Sequence, residues 1–148
     1  MTSTTEDSFH LGIKALVRNQ QGRVLLLQVN PAKLSGDRKS YWDLPGGRIQ
    51  KGHTVLDTLR REVEEETGVK EVRDVHQIGM VLSNIRIPIG EDSVGLILSI
   101  YKCSIPKNAE IIISDEHIGS EWFSPKQAAE LLMMKYPADF CKQIANLE

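Results

Sequence analysis

Apolar positions in this chain fall into short runs, broken by glycines, prolines and charged loops. Leu11 to Arg18 and Arg23 to Val29 are strand-like, and the polar link Asn19-Gln20-Gln21-Gly22 between them is a hairpin signal. Val24-Leu25-Leu26-Leu27 is apolar without alternation, which predicts a strand covered on both faces. Pro31 to Ser40 is a polar loop holding Lys33, Asp37, Arg38 and Lys39. Tyr41 to Leu44 predicts a short strand, stopped by Pro45-Gly46-Gly47 and followed by a loop to His53. Thr54 suits an N-cap and Asp57 completes a capping-box pattern, so a helix is predicted from Val55 to Thr67. Gly68 stands where a left-handed C-cap belongs.

Strands follow at Val75 to Ser83 and Val94 to Cys103, around a turn-rich link with Pro88 and Gly90. Ile111 to Ile113 and Glu121 to Phe123 are short strand candidates. Ser124 and Pro125 open a helix as N-cap and first helical residue, and Pro137 begins a last one running to Leu147. Strands with a central and a late helical region predict an α/β or α+β domain, helices packed on a mixed sheet.

Composition narrows the class. At 148 residues the chain has room for one domain, 9–148, after a loose, polar tail at 1–8. Eighteen basic and twenty acidic residues give a net charge of -2, which argues against a broad grip on a nucleic-acid polymer. Cys103 and Cys141 have no metal-ligand spacing and read as free thiols of a reducing compartment. The N-terminus lacks a signal-peptide pattern and the apolar runs are too short to span a bilayer, so a cytoplasmic protein without membrane partners is expected.

The candidate chemistry lies in the predicted central helix. On a helical wheel Leu56, Leu59 and Val63 form one stripe, expected to face the core, and Glu62, Glu65 and Glu66 form the next. The three carboxylates lie within one turn of each other, and Arg61 precedes Glu65 by one turn. Such neighbours oppose each other's ionisation, and hard oxygen donors on one face suit Mg²⁺ or Mn²⁺. Alone, the carboxylates also read as a solvated helix face and the glycines as turn residues. Together they describe a strand ending at Gly46 and Gly47, where backbone groups approach a ligand, and a loop returning to a helix that presents the glutamates.

This segment resembles the Nudix box of the Nudix hydrolases, G-x5-E-x7-R-E-U-x-E-E-x-G-U with U a bulky aliphatic. Gly47 matches the first glycine, Arg61-Glu62-Val63 the R-E-U, Glu65-Glu66 the paired glutamates and Gly68-Val69 the close. Trp42-Asp43-Leu44-Pro45-Gly46 resembles the usual lead-in, while His53 stands where the box has its first glutamate. The resemblance implies a mixed sheet sandwiched by helices and metal-dependent hydrolysis of a diphosphate linked to a nucleoside. It implies Glu62, Glu65, Glu66 and the Gly47 carbonyl as metal ligands, with Arg61 orienting a box glutamate. Arg48 is a candidate for a phosphate and Trp42 for stacking on a base. Glu116, chosen over Asp115 and Glu121, is the candidate general base.

Asn84 and Ile85 lie where ADP-ribose hydrolases carry a proline, and the tyrosine and NADH-type signatures of other subfamilies are missing. The expected partner is therefore a small nucleotide, a nucleoside triphosphate or a relative, handled by a monomer or homodimer. A non-catalytic nucleotide sensor on the same fold is the alternative that His53 raises, and a generic acidic interaction domain is a third.

Overall fold

The computed structural model describes residues 5–34 and 39–147. Asp37 and Arg38 of the polar loop, and residues 1–4 of the N-terminal segment, lie outside them. Eight strands build a mixed sheet: β1 (Phe9–Arg18), β2 (Val24–Val29), β3 (Trp42–Asp43), β4 (Gly46–Arg48), β5 (Arg73–Leu82), β6 (Ile87–Ile89), β7 (Asp92–Ser104) and β8 (His117–Phe123). The helices are α1 (Val55–Thr67), α2 (Pro125–Leu132) and α3 (Ala138–Ala145).

The main path runs β3-β2-β1-β7-β5, with β4 on β1, β6 on β7 and β8 on β2. β1 and β7 run parallel from Phe9↔Gly95 to Arg18↔Ser104. On its other edge β1 meets β2 only at Arg18↔Val24, where Asn19 and Gly22 close the predicted hairpin. The two strands then part. β2 continues against β3 and β8, and the opened edge of β1 takes β4, with Lys14↔Gly46, Ile13↔Gly47 and Gly12↔Arg48 opposed. That opening leads to the site.

Strand periodicity distributes the core over two faces. Ile13, Ala15 and Val17 of β1 and Leu25 and Leu27 of β2 face α1, through Leu59 and Val63. Leu16, Val24 and Leu26 face α2 and α3, through Leu132, Phe140 and Ile144. The apolar run at 24–27 is thus covered on both sides, as its lack of alternation predicts. Burying Leu59 and Val63 contributes about 2 kcal/mol each, enough to anchor a helix whose remaining surface is largely charged.

Four sequence expectations need correction. Gly46–Arg48 is a strand rather than loop, because the parted edge of β1 offers it free backbone partners. Ile111 to Ile113 is not a strand; the Ile112 N–H donates to the Thr67 carbonyl at 2.8 Å, so this backbone covers the end of α1 instead of pairing in the sheet. Leu56 is 43% exposed, since it sits on the first turn of α1, where Val55 makes the packing contact. At the same end Thr54 Oγ1 accepts from the Asp57 N–H at 3.2 Å, without the reciprocal bond of a full capping box. The full box occurs at α2, between Ser124 and Gln127. Gly68 has φ 77° and caps α1 as expected.

Among the described residues no helix is long and apolar enough to cross a membrane, and both cysteines are free and buried. Asp7 pairs with Arg86 at 2.7 Å, tying the start of the described chain to the link before β6.

Candidate active site

The glycine pair lies between β1 and α1. Gly46 has φ 149°, and a Cβ there would stand 2.1 Å from the Ile13 carbonyl oxygen, so no larger residue fits. Its N–H donates to Glu66 Oε1 at 2.8 Å. A Cβ on Gly47 would lie 2.5 to 2.7 Å from the carboxyl atoms of Glu62, which rests directly over that backbone. Two of the three glutamates are therefore seated on the glycine pair of β4, one on each glycine.

Their environments differ. Burial chiefly raises the pKa of Glu66, to about 8; Lys14 and the Gly46 N–H oppose the shift, and Glu62 and Asp43 add to it. Burial and then the Glu65 charge also raise Glu62, against the nearby Arg61. Glu65 is the outer member, its side chain 60% exposed and 3.9 Å from Arg61 Nε. Arg61 reaches Glu62 Oε1 at 3.4 Å through Nη2 and His53 Nδ1 at 2.5 Å through Nη1.

Among the described residues no three histidine, cysteine or acidic side chains converge closely enough to hold a metal ion as they stand. The donor set nonetheless fits a divalent cation. It is all hard oxygen, its inner carboxylates repel each other, and a methyl group at position 47 would fill the space against Glu62.

Next to the glutamates opens a cleft of about 440 Å³, lined by Lys14, Asp43, Glu66, Glu116 and His117, with Lys33 and Asp115 paired at its rim. Its floor is a buried polar knot. Asp43 Oδ2 accepts from Lys14 Nζ at 3.0 Å and Lys135 Nζ at 2.6 Å, and Oδ1 accepts from the Tyr136 hydroxyl at 2.6 Å and the Leu44 N–H at 2.8 Å. Burial alone would raise the Asp43 pKa, but the two ammoniums outweigh it and hold the carboxyl far below its ordinary range. Lys135 and Tyr136 come from the turn after α2, which Asn84 pins through the Met133 and Tyr136 carbonyls. His117 is buried, its Nδ1 has no partner among the described residues, and its pKa falls to about 4, first through burial and then through Lys14.

The sequence-predicted residues divide accordingly. Glu62, Glu66, Gly46 and Gly47 come together, Arg61 and Glu65 flank them, and Glu116 lies in the cleft lining. Arg48 is exposed and contacts His10 Nδ1 at 3.2 Å, outside that lining. Trp42 packs edge-on to Phe123 with ring centroids 5.0 Å apart, against the core on the α2 side, and does not line the cleft. Sequence reasoning missed Lys14, Lys135, Tyr136 and His117 and used Asp43 only as part of the lead-in. One signal was present: Lys14 and Lys135 each interrupt an otherwise apolar run.

Comparison with known proteins agrees with this geometry. The family description "NUDIX domain" matches residues 8–143. The chain is 29% identical over 105 residues to nucleoside triphosphatase NudI of Escherichia fergusonii, covering 66% of this chain and 74% of that protein. It is 26% identical over 142 residues to Nudix hydrolase 2 of Arabidopsis thaliana, but spans only 50% of that protein's length. Among solved structures, the MutT protein of Methanosarcina mazei superposes with a TM-score of 0.68 at 25% identity, covering 95% of this chain and 96% of that one. The chain belongs to the Nudix hydrolase family.

Proposed function

We propose that this enzyme hydrolyses a diphosphate bond in a small nucleotide, most simply a nucleoside triphosphate or a relative, with Mg²⁺ or Mn²⁺. The observation that carries this reading is the seating of Glu62 and Glu66 on the Gly46–Gly47 pair of β4, beside a polar cleft that Glu66 lines. The names of relatives, among them a nucleoside triphosphatase, support the substrate class.

In this reading Glu62, Glu65, Glu66 and the Gly47 carbonyl hold the cation. When bound, it neutralises phosphate charge and acidifies a coordinated water. Arg61 keeps Glu62 in place. Glu116 accepts a proton from the attacking water as that oxygen bonds to phosphorus and the bond to the bridging oxygen breaks; the leaving phosphate carries the electron pair away. Arg48, which follows Gly47 in β4, is the candidate to meet a phosphate. The unit responsible is the single domain 9–148, and its two unpaired thiols support a reducing, cytoplasmic setting.

The test is phosphate or diphosphate release from a panel of nucleotides, with and without Mg²⁺. Glu65→Gln and Glu66→Gln should each lower kcat by orders of magnitude, and no metal-dependent turnover on any nucleotide would overturn the reading. The position of His53 favours one alternative, a nucleotide sensor. It requires ligand stabilisation without turnover, about 2.7 kcal/mol at 100 times Kd.

A further inference from the structure

The knot below the cleft carries more charge than its own pairing needs. Asp43 supplies one negative charge to two buried ammoniums, Lys14 and Lys135, and all of its acceptor capacity is taken by four donors. Within the knot the positive charges outnumber the negative one; burial lowers the Lys135 pKa to about 8, while a second carboxylate, Glu66, acts on Lys14 alongside Asp43. The two lysines are not equivalent. Lys135 lies behind Asp43, over the Tyr41 ring at 5.7 Å, and does not line the cleft. Lys14 does line it, on the side of Glu66.

An ammonium has three donors. Among the described residues Lys14 Nζ uses two, on Asp43 Oδ2 at 3.0 Å and on the Leu44 carbonyl at 3.2 Å. The Lys14 backbone opposes Gly46 in the β1–β4 pairing, and its Cδ lies 2.8 Å from where a Gly46 Cβ would be. The stem is therefore clamped by the same glycine that holds Glu66, which fixes the ammonium beside the glutamate site rather than letting it swing out.

We propose that Lys14 is a substrate-binding residue, its third N–H taking an anionic oxygen of the diphosphate chain. This rests on the hydrolase reading above and adds to it a cation of the protein's own. A full negative charge is the acceptor that matches a buried ammonium with a donor to spare, and a diphosphate held at the glutamates brings such oxygens to this side of the cleft. Two further observations agree. Burial alone would lower the Lys14 pKa, yet Asp43 and Glu66 hold it above the ordinary lysine value, so the charge persists through neutral pH. His117, in the same cleft, is depressed first by burial and then by Lys14, with Asp43 opposing, so the Lys14 charge is felt inside the cleft.

The test is calorimetric binding of methylenediphosphonate, a diphosphate mimic that cannot be hydrolysed, in the presence of Mg²⁺, beside binding of an uncharged nucleoside. Lys14→Met and Lys14→Gln should weaken methylenediphosphonate about 10- to 100-fold, the worth of a hydrogen bond to a charged group, and leave the nucleoside unchanged. Lys14→Gln keeps a donor for Asp43 and guards against a folding defect. Lys135→Met disturbs the same knot from behind and should cost less than about threefold, provided thermal unfolding shows each variant folded. Unchanged methylenediphosphonate affinity in both Lys14 variants, an equal loss in Lys135→Met, or a loss confined to the nucleoside would overturn the assignment. So would a wild type that hydrolyses nucleotides yet does not bind methylenediphosphonate. A wild type that neither hydrolyses nor binds overturns the hydrolase reading itself.

Discussion

His53 Nδ1 accepts a hydrogen bond from Arg61 Nη1 at 2.5 Å, linking the residue before the N-cap of α1 to the arginine that precedes Glu62. A guanidinium can only donate, so the ring nitrogen facing it is the acceptor of this contact. His53 thus occupies Arg61 by hydrogen bonding alone, where the box pattern would offer a carboxylate. Arg61 still reaches Glu62 at 3.4 Å, so its orienting contact survives the exchange.

Restoring the carboxylate should therefore adjust activity rather than create it. His53→Glu is expected to change kcat by less than about tenfold, the scale of one exposed hydrogen bond. Steady-state kinetics on the best substrate of the nucleotide panel measures this. Turnover in His53→Glu with none in the wild type would favour the sensor.

Gly47 is constrained by what lies over it, not by its own backbone angle. A methyl group there meets the Glu62 carboxyl at 2.5 Å, and the far end of that side chain can yield. Gly47→Ala should fold with nearly unchanged thermal stability while displacing Glu62, and lose about 10²-fold in kcat, as displaced catalytic groups do. Parallel melting curves and kinetics separate the two effects; equal kcat would show that Glu62 need not sit on this glycine.

Asp43→Asn removes the one carboxylate that pairs with both buried lysines, Lys14 and Lys135. Breaking a buried ion pair from one side costs about 3–5 kcal/mol, and this variant should lose that much in denaturant unfolding at an unchanged slope. A loss below about 1 kcal/mol would mean that the two ammoniums find other partners or solvent.

His117 makes stability depend on acid. Burial keeps its folded pKa near 4 against an ordinary 6.5, so between those values the unfolded chain binds a proton that the folded chain does not. Stability should fall as pH drops through this window, by up to about 3 kcal/mol. Replacing the imidazole by an amide in His117→Gln should flatten that part of the profile. A profile of the same slope in the variant would assign the acid sensitivity to other groups.

Local signals made α1 legible from sequence, together with the glycine turn and the glutamate stripe. A cap, a helical spacing and a left-handed glycine all lie within 15 residues, Thr54 to Gly68. β4 was not legible, because three residues with two glycines show no alternation and the strand exists only where β1 parts from β2. The Leu56 misassignment has a related cause: a helical wheel treats every turn as facing the same neighbour, and the first turn of α1 does not. The knot was hidden by distance, since Asp43 meets partners 29, 92 and 93 positions away. Nothing in the neighbourhood of Lys14 or Lys135 announces the other.

The same separation orders the events of folding and synthesis. Helix α1 can form as soon as residue 68 is made, but the floor of the cleft waits for Lys135 and Tyr136, and β1 waits for the parallel partner β7. Pairings this far apart carry a large loop-closure cost and form slowly. On the ribosome the chain made before β7 would hold an open sheet edge on β1 and an Asp43 that has Lys14 but neither Lys135 nor Tyr136. The working cleft is therefore among the last parts of the molecule to close, and a chain interrupted before α2 would carry every box residue without a site.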